Sequence, residues 1–283
     1  MSFIHQMIHK KQKNVIPGFG LSMGITITML SLVVLIPLGS VLIVLGNYTF
    51  AQVWQMVTSS QALASYRVTL STSFVASIVN VVFGILLAWI LTRYRFPGRR
   101  ILDGLIELPF AMPTAVSGLA LTVLYSENGW IGAILTRMGI DIAFTPSGIT
   151  MALIFIGIPF VVRSIQPVIE ELHPQYEEAA SILGASKTRI FFQVVLPEML
   201  PAVITGFGLA FARSIGEFGS VVFIAGNIPY ETQVTSLIIM NHLDQFNFLG
   251  ATSIALVMII FSFLVLFGLN VLQAKVHKMA REA

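Results

Sequence analysis

The sequence predicts an all-α membrane protein with six transmembrane helices, and three observations carry that prediction. Of 283 residues, 56% are hydrophobic and only 10% are Asp, Glu, Lys or Arg, against roughly 25% charged in a soluble domain; mean hydropathy is +0.87. No charged residue occurs from Asn14 to Tyr66. Beyond that stretch, apolar runs of transmembrane length alternate with short basic clusters. A water-soluble fold has no interior able to hide so much apolar surface, so the solvent of this chain is lipid. The net charge of +3 is not a nucleic-acid footprint, because the basic residues are dispersed between apolar runs. The absence of cysteine excludes disulfides, thiolate metal sites and cysteine catalysis.

About 20 apolar residues cross the hydrocarbon core. Residues 1–19 read as an N-terminal tail carrying Lys10, Lys11 and Lys13, and Phe19 to Leu45 as the first crossing, which together with an outer loop occupies residues 20–65. This run is too long for a cleaved secretory core and lacks an A-x-A exit. Pro37 predicts a kink that neighbouring helices tolerate. The second crossing is Val68 to Thr92. The third is Leu105 to Tyr125, where Pro109 and Pro113 predict a bent helix lining something rather than a straight one facing lipid. The fourth, Pro146 to Val162, is short enough that its ends extend outward. Met199 to Ala225 and Leu249 to Leu272 complete the six, leaving 273–283 as a tail.

Thirteen of the 16 Lys and Arg residues fall in the N-terminal tail, the Arg93 to Arg100 loop, the region of Arg163, Lys187 and Arg189, and the C-terminal tail. By the positive-inside rule both termini are cytoplasmic. The outer loops Gly46 to Tyr66, Ser126 to Thr145 and Gly226 to Phe248 have 20 to 23 residues each, enough to dock another protein.

Between Arg163 and Pro197 lie 33 residues too polar to cross and too patterned for a linker. Pro174 after His173 suits the first turn of a helix, and Glu177 and Glu178 complement its dipole. Gly184 suits a left-handed terminator. Ser186 is placed to cap a second segment running through Lys187, Arg189 and Ile190 to Leu196, expected at the membrane interface and ended by Pro197.

Glu178-Ala179-Ala180, three residues, Gly184, nine residues, then Val194-x-Leu196-Pro197 resembles the EAA loop of ATP-binding-cassette (ABC) importer permeases, with Val194 in place of the family's isoleucine. The resemblance implies a type I ABC importer permease fold spanning about 66–272, an EAA loop at about 174–197, and a coupling helix seated on a separate ATPase dimer that carries ATP and Mg. Tyr94 to Gly98, Leu108 to Val116, Arg213 to Gly219 and Phe223 to Asn227 look like the sulfate/thiosulfate permeases of the CysT type and, less fully, the molybdate permeases. That likeness implies a bacterial inner-membrane importer with a second, CysW-like permease and a periplasmic sulfate/thiosulfate-binding protein; molybdate or tungstate is the alternative solute.

Arg213 and Glu217 are four apart and share one face of the fifth crossing with Gly206, Ala210, Gly216 and Ser220. Ionisable groups at membrane depth face protein or water. The pair suits an anion path or gate, and equally an ion pair that permits close packing. Thr114, Ser117 and Thr122 present hydroxyls near the proline bends, although membrane hydroxyls more often bond to the preceding turn. An ion-coupled secondary transporter would leave the double-helical cytoplasmic stretch unexplained and shows no inverted repeat. The histidines His5, His9, His173, His242 and His277 are scattered over tails and loops and no G-x-x-x-x-G-K-[ST] phosphate loop occurs, so no catalytic group, metal set or ATP site is expected in this chain. A scaffold or receptor would need no kinked helices.

Overall fold

A computed structural model describes residues 19–282, with side chains through Val276; the expected tail at 1–18 lies outside the described residues. The described chain is helical, without strands. It divides into two units, Met1–Tyr48 and Thr49–Ala283.

Helix α1, Phe19–Leu45, makes up most of the described part of the first unit. Pro37 does not break it. A π turn at Ser31–Leu35 precedes Ile36-Pro37, and the Ile36 N–H donates to the Ser31 carbonyl, five residues back. The wider turn accommodates a residue that lacks an N–H and whose ring crowds the preceding turn.

The second unit begins with α2, Phe50–Val57, opened by a Thr49/Gln52 capping box, and α3, Ser60–Arg93. At about 1.5 Å per residue, α3 is roughly 50 Å long and outreaches the bilayer core. Phe96 to Arg99 is a turn with Pro97 second and Gly98 third, at φ +88°; glycine takes that conformation without penalty. The chain then runs through α4, Arg99–Ala111, and α5, Thr114–Tyr125, which are bent by 114° to each other.

The third crossing expected at Leu105–Tyr125 is therefore not one rod. Pro109 stays inside α4, whereas Pro113 holds Met112 extended, at φ −92° and ψ 138°, because the proline ring excludes helical geometry in the residue before it. Five helices are long and apolar enough to cross a membrane, and a sixth crossing exists when α4 and α5 count together.

Short α6, Gly132–Arg137, leads to α7, Pro146–Glu171, which extends the expected fourth crossing at its C-terminal end. Next come α8, Pro174–Ile182, and α9, Lys187–Ile215. Pro197 does not end a separate interfacial segment as expected. A π turn at Phe191–Val195, with Leu196 N–H donating to the Phe191 carbonyl, carries one continuous helix past it. The fifth crossing ends at Ile215 instead of Ala225. Short α10, Val221–Ile224, and α11, Thr235–Asp244, follow. The last helix, α12, runs Phe248–Glu282, so the residues expected as a tail continue the sixth crossing as helix.

The core is the packing of α3, α7 and α9. Lipid tails are as apolar as leucine, so helices associate here through close contact rather than hydrophobic exclusion. Added Cβ atoms show how close that contact is: at Gly84 on α3 one would lie 2.6 Å from Val161, and at Gly206 on α9 one would lie 2.9 Å from the Val161 Cα. The buried face of α3 carries Ser65, Thr69, Ser73, Ser77 and Asn80. Thr69 Oγ1 accepts the Thr235 N–H at 2.9 Å, so α3 supplies the cap that Val234, at the start of α11, cannot.

A close backbone approach joins α5 to the segment after α9, where a Cβ at Gly118 would fall 2.3 Å from the Ser220 carbonyl oxygen and 2.6 Å from its Cα. Gly118→Ala should lower the stability of the purified protein by about 1–3 kcal/mol, since backbone must move to relieve the overlap. Gly104→Ala, with open space at its Cβ, should leave stability unchanged or slightly raised. Thermal unfolding of the two variants checks this.

Candidate functional site

Two places carry the candidate residues. At the first, α8 is a nine-residue helix with His173 as N-cap, Pro174 in its first turn and Glu177 close behind, as its residues predict. It ends at Gly184, φ +83°, and Ala185 N–H reaches back to the Ala180 carbonyl at 3.1 Å. Ser186 then caps α9 by accepting the Arg189 N–H. None of the α8 residues is buried. Glu178 and Ala179 are exposed, Ala180 is half-buried, and Ile182 and Leu183 are 86% and 87% exposed. Isolated helices this short are unstable in water, and Ile182 and Leu183 stand bare at the end of this polar one. Leu196 and Pro197, from the end of the motif, sit apart inside α9.

What holds α8 in place was not evident from the motif. Arg93, at the end of α3, donates to Glu177 Oε1 at 2.7 Å and to the Leu172 carbonyl at 3.3 Å. An open cavity of about 580 Å³ lies beside this contact, lined by Trp89, Glu177, Glu178, Lys187 and Phe191 among others. The one sequence signal was a basic residue directly after a crossing, which the positive-inside rule already explained. A second clasp was equally hidden: Arg163 on α7 pairs with Asp103 at 2.9 Å and Glu107 at 2.7 Å on α4.

At the second place, Arg213 and Glu217 pair at 2.5 Å, but not along one helix. Helix α9 stops at Ile215 with Gly216 as C-cap, so Glu217 and Ser220 leave the helical face on which the sequence placed them. Glycine is a poor helix former, and the Glu217 carboxylate captures Ser220 N–H at 2.8 Å and Oγ at 3.0 Å. Those bonds stabilise a turn in place of another helical turn. Ser236 Oγ donates to the Glu217 carbonyl at 2.8 Å. The Glu217 side chain is 2% exposed and that of Arg213 is 34% exposed.

Thr114 and Ser117 come to the same place. A Cβ at Gly219 would lie 2.1 Å from Thr114 Oγ1. Ser117 is buried, and its hydroxyl donates to the Pro113 carbonyl at 3.4 Å. Thr122 donates to the Gly118 carbonyl at 2.8 Å. The last two hydroxyls bond within their own helix, the packing use that residue type favours. Gly118, Gly219 and Thr114 thus join the break before α5 to the break after α9, where the buried Glu217 carboxylate holds Ser220 and Arg213.

Removing the arginine would leave that carboxylate buried without a cation. Arg213→Gln should lower stability by about 2–3 kcal/mol, less than for a fully buried pair because the guanidinium is partly solvated. Adding Glu217→Gln should recover most of the loss in thermal unfolding. A single variant as stable as the parent would contradict the structural role.

The family model for the binding-protein-dependent transport system inner membrane component matches residues 80–278. The sulfate transport system permease protein CysT of Salmonella typhimurium is 51% identical over 269 residues, 95% of this chain and 97% of that protein. Its Escherichia coli counterpart is 50% identical over the same shares. Among solved structures, a bacterial alginate ABC transporter in complex with an alginate pentasaccharide-bound periplasmic protein superposes with TM-score 0.75 at 18% identity, covering 90% of this chain and 93% of that one. A helical, multi-pass chain with these matches belongs to the binding-protein-dependent transport system inner membrane component family.

Proposed function

We propose that this chain is the permease subunit of an ATP-driven importer that passes sulfate or thiosulfate through the bacterial inner membrane. The observation that carries the reading is α8: a helix bearing Glu178, Ala179 and Ala180, ended by left-handed Gly184, and presenting Ile182 and Leu183 unburied. Half-identical relatives named as sulfate permeases support the solute. The distribution of lysine and arginine supports cytoplasmic termini and a cytoplasmic α8. In that orientation α8 meets an ATPase dimer, which supplies ATP and Mg, while the opposite loops receive the periplasmic binding protein. A CysW-like permease completes the pore, with lipid around both.

The chain itself is a transport subunit and not an enzyme. Its part is mechanical. Apolar Ile182 and Leu183 enter a groove of the ATPase, Gly184 turns the chain without a side chain in the way, and α8 passes the movement to the helices behind it. In this reading Arg213, Glu217, Thr114 and Ser117 brace the helix breaks that form the path, and they do not hold the anion. A transporter must release its ion, and an unpaired buried arginine would retain a dianion.

The test is reconstitution with the cognate ATPase, second permease and binding protein in liposomes, with labelled sulfate as probe. Uptake should require ATP, and thiosulfate should compete better than molybdate; uptake driven by an ion gradient without ATP would overturn the reading. Leu183→Asp, which puts a charge where a buried leucine contributes about 1.5–3 kcal/mol, should weaken retention of the ATPase roughly tenfold or more. Gly184→Trp forces a Cβ into the left-handed region and a large ring into the groove, so it should abolish sulfate uptake; a full-rate variant would exclude Gly184 from the contact.

A further inference from the structure

We infer that Arg93 is a positioning residue that ties the docking helix to the transmembrane bundle, so that movement of α8 is passed on to it. The inference rests on the reading of α8 proposed above. Three elements converge on this one guanidinium. Arg93 closes α3, Leu172 is the residue at which α7 ends, and Glu177 lies in the first turn of α8. Nη2 donates to the Glu177 carboxylate at 2.7 Å and to the Leu172 carbonyl at 3.3 Å. The same group stacks over the Trp89 ring, 5.5 Å from its centroid. Trp89 meets Phe191 edge to face at 5.7 Å, and Phe191 begins the π turn of α9. The docking helix, which buries none of its residues, is thereby joined to α3, α7 and α9, the three helices that pack most closely.

The geometry also separates holding from docking. Glu177 faces the bundle through Arg93, while its neighbour Glu178 and the apolar Ile182 and Leu183 remain exposed. The pair is half shielded, with side chains 21% and 29% exposed, so it is screened less than a surface bridge. A cation at the end of a helix is favoured by the orphan carbonyls there, as Arg93 uses that of Leu172. A planar fork serves a carboxylate, a carbonyl and an aromatic face at once, which a lysine ammonium does not. Beyond Arg93, the contacts at Gly84 and Gly206 leave α3, α7 and α9 little room to slide past one another, so displacement at their ends is carried rather than absorbed.

The test uses the reconstituted four-component transporter and reads two quantities, ATPase retained by the complex and labelled sulfate imported per ATP hydrolysed. Arg93→Gln and Glu177→Gln should each lower sulfate per ATP at least about fivefold while the ATPase stays bound. Arg93→Lys should fall between the parent and Arg93→Gln. The exchanged pair, Arg93→Glu with Glu177→Arg, should recover much of what either charge reversal alone loses. The inference is overturned if Arg93→Gln keeps the parental ratio, or if the exchanged pair is no better than the single reversals. It is also overturned if Arg93→Gln releases the ATPase, which would place Arg93 in docking instead of transmission. Failure of the underlying reading looks different, since Leu183→Asp would then retain the ATPase as the parent does.

Discussion

Helices dissolved in lipid gain nothing from hiding apolar side chains against each other, so the contact among α3, α7 and α9 depends on how near their backbones come. Gly84 and Gly206 admit Val161 from two sides, and Gly157 admits the Asn80 side chain. Dispersion over such surfaces, added atom by atom, replaces the hydrophobic effect as the cohesive force. Small and hydroxylated residues along the buried face of α3 serve the same end because they are thin; Ser77 returns its hydrogen bond to Ser73 of its own helix, and Thr69 reaches Thr235 of α11. The rest of the second unit is arranged on this triad, with α12 against α9, α10 against α7, and α4 held to α7 by Arg163.

Around that compact centre the helices are interrupted, and each interruption has its own chemistry. In lipid every backbone group must be satisfied, so a break survives only where side chains or wider turns take over. The π turns before Ile36-Pro37 and Leu196-Pro197 keep a helix going past a proline. The corner at Met112-Pro113 and the end of α9 at Gly216 are true breaks, and they meet each other through Gly118, Ser220, Gly219 and Thr114. Glu217 is the polar hub there, accepting from Ser220 and pairing with Arg213. The bracing role proposed for these residues rests on that placement.

Helix α8 presents the opposite problem, because it buries none of its residues and has no core of its own. Its stability derives from Pro174, the acidic first turn and the Gly184 terminator locally, and from Arg93 at a distance. That division suits the role proposed for it, contact with another protein while staying attached to this one. Its exposed Ile182 and Leu183 are a liability in an isolated chain, and a partner that covers them removes it.

Local features were legible in the sequence because they depend on neighbours along the chain. Hydropathy marked the apolar segments, proline and glycine marked the start and end of α8, and EAA spacing marked the motif. Basic residues outside the apolar runs supported an orientation. Where crossings ended was less legible, since an apolar run through Ala225 does not show that Glu217 prefers the Ser220 amide to another helical turn, nor does Pro197 show that a π turn absorbs it. The partners of Arg93, Arg163 and Gly118 depend on residues 56 to about 102 positions away, and no local pattern encodes them. The sequence by itself determined that this chain lives in lipid, which segments are apolar enough to cross it, and which short helix stands outside. Only the tertiary structure decided which glycines touch which backbones, where two broken helices meet, and which arginine holds the outer helix to the bundle, because those choices follow from distances in space.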